Sequence, residues 1–136
     1  MILVLTNADT EILALRSVVD GLPDGFPPVR AANPNHLGDA PPDLQGVDVV
    51  LVRLLGGRRA WQEPFDQLRA QCRRLDIPLL AFGGEAAPDA ELTGLSTVPS
   101  ATLAQAFEYL VHGGLANIEH LLRFVADTVG YHGFGF

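Results

Sequence analysis

Three apolar runs, each stopped by a turn, limit what this chain can fold into more than any other feature of its sequence. Residues 47–55 and 77–82 are followed by the glycine pairs Gly56–Gly57 and Gly83–Gly84, and residues 1–5 are followed by a polar turn. Apolar runs without alternation are typical of strands buried on both faces of a parallel sheet. If the three strands are parallel, their carboxyl ends meet at one edge of the sheet, where ligands bind in open α/β folds.

Between these runs, apolar residues recur at helical spacing and predict the rest of the fold. In chain order, the predicted elements are a strand at 2–5, a helix capped by Asp9 or Thr10 and ended by Gly21, strands at 29–32 and 47–55, a helix at 61–75, a strand at 77–82, a helix capped by Ser100 or Thr102, and a last helix at 115–129. Residues 33–46 and 84–99 are predicted loops, the second with a short strand at 96–98. This order predicts an α/β three-layer sandwich with a mostly parallel, doubly wound sheet of the flavodoxin-like or Rossmann-like type.

Length and composition predict a single globular domain at 1–129, followed by a glycine-rich aromatic tail at 130–136 that is either disordered or docked on the surface. No apolar stretch approaches the roughly 20 residues of a membrane span, and no basic region precedes the first run, so we expect neither a membrane segment nor a signal peptide. The single cysteine, Cys72, lies on the apolar stripe of its helix. We therefore expect a buried structural thiol and a cytoplasmic protein.

The charge pattern disfavours several classes of function. The net charge is −7, lysine is absent, and no arginine lies between Arg74 and Arg123. Binding to a nucleic-acid backbone requires clustered cations, so we expect no nucleic-acid partner. The missing lysine excludes a Walker-type phosphate loop and a phospho-receiver site, and the turn after the first run lacks the glycines of a dinucleotide-binding loop.

Patterns typical of catalysis or metal binding are also missing. The four histidines, His36, His112, His120 and His132, show no His-x-x-x-His spacing, which makes a preformed zinc site unexpected. Glu108 lies one helical turn before His112, and this spacing favours a solvated or helix-capping pair. Because no nucleophile lies beside a base, we expect no catalytic residue, no metal and no cofactor bound by this segment.

A binding site is the remaining candidate, and Arg53 is its centre. Arg53 interrupts an otherwise apolar strand near its carboxyl end, where a charge is costly unless it is paired or open to water. It either grips a carboxylate ligand, forms a salt bridge to an acid such as Asp48 or Glu85, or extends its side chain into solvent at the sheet edge. The neighbouring glycines either let a ligand approach the backbone or simply end strands at tight loops. The candidate ligand-binding residues are Arg53, Gly56, Gly57, Arg58, Arg59, Gly83, Gly84 and Glu85.

Around these residues the chain resembles a known family. The segments that carry the resemblance are VDVVLVRLLGGRRAW (47–61), IPLLAFGGEAAPDAELTGLSTVP (77–99) and GGLANIEHLLRFVADTV (113–129). In this order they are similar to the amino-terminal region of the CobN family, the large subunits of aerobic, ATP-dependent cobaltochelatase, which are akin to the H subunit of magnesium chelatase. The resemblance covers residues 1–129, and the tail after them departs from it.

The resemblance implies a part in a much larger enzyme. In that family the large subunit binds the tetrapyrrole, and separate ATPase subunits drive metal insertion, a ligase reaction that forms nitrogen–metal bonds. The implied substrate is hydrogenobyrinic acid a,c-diamide, a corrin of cobalamin biosynthesis, and the implied partners are this corrin, the ATPase subunits and the remainder of the large subunit. Cobalt and ATP would be used by the whole complex. Two alternatives stay open: a stand-alone small-molecule-binding domain, and an interaction domain whose apolar last helix packs on the rest of a longer polypeptide.

Overall fold

Four parallel strands form the centre of the molecule, and the computed structural model describes residues 1–130 around them. The strands are β1 (Ile2–Thr6), β2 (Val29–Ala32), β3 (Val49–Leu54) and β4 (Leu79–Gly83), arranged in the order β2-β1-β3-β4. Ile2 lies opposite both Val29 and Val49, and Val50 lies opposite Leu79. The apolar runs therefore form the predicted parallel sheet. Apart from residue 130, the predicted tail lies outside the described residues.

Helices cover both faces of this sheet. They are α1 (Asp9–Asp20), α2 (Gln62–Leu75), α3 (Ala90–Leu95), α4 (Ser100–His112) and α5 (Leu115–Val125). Helices α1, α4 and α5 pack on one face, and α2 and α3 pack on the other. Alternate residues of each strand enter the two apolar clusters, as Leu51 and Val52 of β3 do. The predicted three-layer, doubly wound α/β fold is confirmed.

The predicted loop at 84–99 is wrong in part, because it contains α3. Asp89 caps this helix, and its Oδ1 accepts a hydrogen bond from the backbone N–H of Leu92 at 3.0 Å. The predicted strand at 96–98 is also wrong. The side chains of Ser96 and Thr97 instead accept hydrogen bonds from the N–H groups of Ala81 and Leu79, at 2.9 and 2.8 Å, along the outer edge of β4. Side-chain oxygens thus satisfy an edge that a fifth strand would otherwise cover.

The predicted helix caps are wrong as well. Helix α1 begins at Asp9 and α4 begins at Ser100, and neither helix has a side-chain cap. Asp9 is instead used across the chain, where its Oδ1 accepts a hydrogen bond from Asn33 Nδ2 at 2.9 Å. Gly21 does end α1, as predicted, with its N–H donating to the carbonyl of Val18.

The last helix does not present its apolar face outward. Ile118, Leu121, Leu122, Phe124 and Val125 are buried against α1, α4 and the sheet. The alternative in which this face packs on another part of a longer polypeptide is therefore wrong for most of the helix. Leu115, at its first turn, is 54% exposed. Within residues 1–130, none of the helices combines the length and apolar character needed to cross a membrane.

Candidate functional site

The carboxyl ends of β1 and β3 form the topological switch point of the sheet. The chain leaves β1 toward β2 on one side, while β3 and β4 lie on the other. In doubly wound sheets a crevice opens between the two strands that flank this point, and ligands bind there. Thr6 and Arg53 are register partners at this position, so the arginine singled out from the sequence lies at the switch point.

The structure places the Arg53 side chain in a set of internal contacts. Its Nη1 is paired with Glu11 Oε2, its Nε donates to the carbonyl of Gly83 at 3.2 Å, and its Nη2 lies 3.5 Å from the carbonyl oxygen of Gly84. The second oxygen of Glu11 accepts a hydrogen bond from the Thr6 hydroxyl at 2.6 Å. The Arg53 and Glu11 side chains are only 14% and 20% exposed. The crevice is therefore closed by the protein's own ion pair.

The predicted salt-bridge partners of Arg53 are wrong. Asp48 is paired with the amino terminus, and Glu85 is exposed after the Gly83–Gly84 turn. Glu11 is the partner because α1 begins just after β1, and its first turn lies over the adjoining end of β3.

Asn7 joins the same two strand ends, and sequence reasoning missed it together with Thr6 and Glu11. Its Oδ1 accepts from the N–H of Leu55 at 2.8 Å, and its Nδ2 donates to the carbonyl of Leu55 at 3.1 Å. The signal available was the acidic turn TNADTE directly after the first apolar run. Because that turn lies at the switch point, Glu11 was a candidate partner for Arg53 on β3, the strand that pairs with β1.

Arg58 and Arg59 follow the Gly56–Gly57 turn but differ in their surroundings. Arg58 binds Asp66 through two hydrogen bonds, at 2.9 and 2.5 Å, and lies 3.6 Å from Glu91. These hydrogen bonds lower the pKa of the Asp66 carboxyl below its ordinary value. Arg59 is exposed, and its side chain makes no hydrogen bond or ion pair with residues 1–130. Of the three arginines predicted at this edge, Arg59 alone is open to an external anion in the described part of the chain.

The glycine pairs have internal reasons for being glycine. Gly56 and Gly57 have φ angles of +91° and +77°, a conformation that side chains strongly disfavour. A Cβ atom on Gly83 would lie 2.9 Å from the Cβ of Asp89, and one on Gly84 would lie 2.9 Å from the Cα of Leu55. The tight-loop interpretation accounts for all four positions, and contact with a ligand at them stays a prediction.

Cys72 and the His112–Glu108 pair are not arranged as a nucleophile with a base. Cys72 is fully buried, and burial raises the pKa of its thiol to about 11, which suppresses the thiolate. His112 and Glu108 pair at 3.2 Å on an exposed helix surface. In the described chain, residues 1–130, no group of three or more His, Cys, Asp or Glu side chains is placed to hold a metal ion.

Fold and site together define a doubly wound α/β domain whose ligand crevice is occupied by its own side chains. No protein-family profile matches the chain. The chain is 31% identical over 133 residues to the aerobic cobaltochelatase subunit CobN of Pseudomonas aeruginosa, in a match that covers 93% of this chain and 11% of that protein. It is also similar in structure to the catalytic subunit of cobaltochelatase from Mycobacterium tuberculosis, with a TM-score of 0.80 and 39% identity over 99% of this chain and 11% of that one.

These similarities confirm the resemblance to CobN that the sequence indicated. They extend over nearly the whole chain and include the fold. The chain spans only 11% of the length of either relative, so each similarity is to one domain-sized part of the relative. This extent is consistent with the predicted likeness to the amino-terminal domain.

Proposed function

We propose that the chain is the amino-terminal domain of a cobaltochelatase large subunit that acts in cobalamin biosynthesis. The reaction proposed for the whole complex is the ATP-dependent insertion of cobalt into hydrogenobyrinic acid a,c-diamide. One observation carries the proposal: CobN and a cobaltochelatase catalytic subunit match nearly all of this chain, at 31% and 39% identity. Identity at this level over nearly the whole chain supports a shared role more strongly than a shared fold alone would.

Within such a complex, the proposed role of this domain is docking rather than catalysis. The switch-point crevice, where a ligand would ordinarily enter, is closed by the Arg53–Glu11 pair and by the Asn7–Leu55 hydrogen bonds. The proposed partners are the remainder of the large subunit, the ATPase subunits and the corrin. A direct contact with a corrin carboxylate would fall to Arg59, because the other arginines at this edge already bind acids.

A segment exchange in a cobaltochelatase relative tests the proposal. In the Pseudomonas aeruginosa CobN subunit, the matching segment would be deleted in one variant and replaced by this chain in another. Cobalt insertion would be followed by the corrin absorbance in the presence of the ATPase subunits. We expect the deletion to abolish insertion and the replacement to restore it to within about tenfold of the parent rate, a loss of about 1.4 kcal/mol at most.

The control is a second replacement variant, in which the inserted chain carries Arg59→Ala. It distinguishes a role of the domain in docking from a direct contact between Arg59 and the corrin. A higher KM for the corrin with unchanged kcat would support a binding role for Arg59. A folded replacement protein with no more activity than the deletion would contradict the proposed function.

A stand-alone binding or interaction domain is the second candidate. It is favoured by large apolar side chains that remain exposed, including Leu13 at 64%, Leu115 at 54% and Leu55 at 46%. Exposed apolar side chains promote association where they lie together. Light scattering of the isolated chain tests the interaction domain, which should self-associate with rising concentration; a chain that stays monomeric would contradict it.

A further inference from the structure

A cavity of about 150 Å³ lies at the carboxyl end of β4. It is next to the switch point, because the carbonyl of Gly83, one of its lining residues, accepts a hydrogen bond from Arg53. It is lined by the end of β4, the turn that leads into α3, and α4, and it is open to solvent on the side of Ala104 and Glu108. Its wall is apolar and includes Leu103 and the stacked rings of Phe82 and Phe107, whose centroids are 6.1 Å apart with an interplanar angle of 12°. Two acidic residues, Asp89 and Glu108, also line the cavity.

These carboxylates are not neutralised by a nearby arginine. Asp89 Oδ1 accepts the N–H of Leu92, and neither oxygen of Asp89 takes part in an ion pair with residues 1–130. Within residues 1–130, the one ion pair of Glu108 is with the imidazole of His112, at an exposed position. Apart from His112, neither α3 nor α4 carries a basic side chain, because the sequence contains no lysine and no arginine between Arg74 and Arg123. Two acidic side chains therefore lie at a cavity whose remaining lining is mainly aromatic and aliphatic, with Thr93 and Ser100 as its other polar residues.

An aromatic wall next to carboxylates suits an organic cation. Ring faces attract ammonium and guanidinium groups, and carboxylates add charge complementarity. A volume of roughly 150 Å³ can hold a group the size of benzene. We infer that this cavity binds an organic cation with an apolar body, such as an arylalkylammonium or alkylguanidinium group, with its charge near Asp89 and Glu108. The same charges repel carboxylate ligands, so the site is independent of a corrin contact at Arg59.

The inference is tested on the 136-residue chain by NMR titration with benzylammonium and with benzyl alcohol, its neutral analogue. We expect saturable shifts of the amide signals of Gly83, Asp89, Leu103 and Glu108 with benzylammonium, and at least about fivefold weaker binding of the alcohol, as expected when one surface charge interaction is lost. Glu108→Gln should weaken benzylammonium binding to a similar extent. Ala104→Phe, which fills the cavity from α4 without changing any charge, should abolish it.

The matched control is Glu63→Gln, which removes an exposed acid on α2, on the opposite face of the sheet. It should leave benzylammonium binding unchanged. Equal binding of benzylammonium and benzyl alcohol, or equal effects of Glu63→Gln and Glu108→Gln, would overturn the inference. A blocked Gly-Arg-Gly peptide distinguishes the source of the cation: tighter binding than benzylammonium assigns the site to a polypeptide side chain, and weaker binding assigns it to a free small molecule.

Discussion

The Arg53–Glu11 pair links three segments that are distant in sequence. Arg53 reaches from β3 to the first turn of α1 and to the carbonyls that end β4, and Glu11 reaches back to Thr6 at the end of β1. A mostly buried ion pair adds to the free energy of unfolding only where further hydrogen bonds satisfy each charge. Removing one partner lowers the free energy of unfolding by more than the intact pair adds to it, because the other charge is left buried without a partner. The pair therefore stabilises the carboxyl edge of the sheet.

Removing Arg53 should destabilise the domain. Arg53→Met leaves the Glu11 carboxylate half-buried and the Gly83 carbonyl without its side-chain donor, so we expect a loss of roughly 2–3 kcal/mol in the free energy of unfolding. Glu11→Gln keeps an acceptor for Thr6 and should cost less, about 1 kcal/mol. Urea unfolding followed by Trp61 fluorescence measures both changes.

The control for this prediction is Arg59→Met. Arg59 is exposed, so its replacement should change the free energy of unfolding by less than about 0.5 kcal/mol. The double variant Arg53→Met/Glu11→Gln should lose less than the sum of the single variants, because no unpaired charge is left behind. Equal losses for Arg53→Met and Arg59→Met would contradict a structural role for the pair.

The sequence was enough to predict that Arg53 requires a partner, but it did not identify Glu11 as that partner. A charge inside an apolar run signals its own cost, whatever the fold. The partner depends on which strand lies beside β3 and where the helix after that strand begins. Glu11 lies 42 residues before Arg53 in the sequence, and only the parallel β1–β3 pairing brings the two together.

At the scale of the elements, the long amphipathic helices and the buried strands could be predicted, whereas α3 could not. The strands follow from continuous apolar runs, which remain recognisable without knowledge of the neighbouring elements. Helix α3 has only six residues, and two of them, Thr93 and Gly94, favour other conformations. It is stabilised by the Asp89 cap and by burial of Leu92 beneath α2, and both depend on tertiary packing.

Helix α2 gives a pH prediction through the buried thiol of Cys72. Burial raises the pKa of Cys72 to about 11 in the folded chain, against 9.0 for a free thiol. The unfolded chain therefore loses its thiol proton first, and the associated stability is complete below pH 9 and is lost as the pH rises from 9 to 11. In that window we expect the free energy of unfolding to fall by up to about 1.4 kcal/mol per pH unit.

The measurement is a series of urea unfolding curves between pH 7 and pH 11, made under reducing conditions. Cys72→Ala is the matched control, because it keeps both tyrosines, which also titrate at high pH. The variant should show a shallower decline than the parent chain above pH 9. Parallel curves for the two proteins would show that the thiol does not titrate late in the folded state.

For the whole molecule, the sheet joins two apolar clusters into one unit. Val49 and Leu51 of β3 enter the cluster beneath α1, α4 and α5, and Val50 and Val52 enter the cluster beneath α2 and α3. Each central strand contributes side chains to both clusters. If one cluster opened, the strand would lose its packing on that face, and its residues in the other cluster would be disturbed as well. The prediction of a single domain at 1–129 thus becomes a prediction of one cooperative unfolding transition.

Trp61, the single tryptophan, provides the test because it is buried in the α2 cluster. Leu122 is fully buried in the opposite cluster, and Leu68 is fully buried in the same cluster as Trp61. Leu122→Ala and Leu68→Ala should each lower the free energy of unfolding by about 2–5 kcal/mol. For each variant, Trp61 fluorescence and far-ultraviolet circular dichroism should give the same urea midpoint. A Leu122→Ala variant that shifts only the dichroism curve would mean that the two faces of the sheet unfold separately, because cavity formation in one cluster would then leave the other intact.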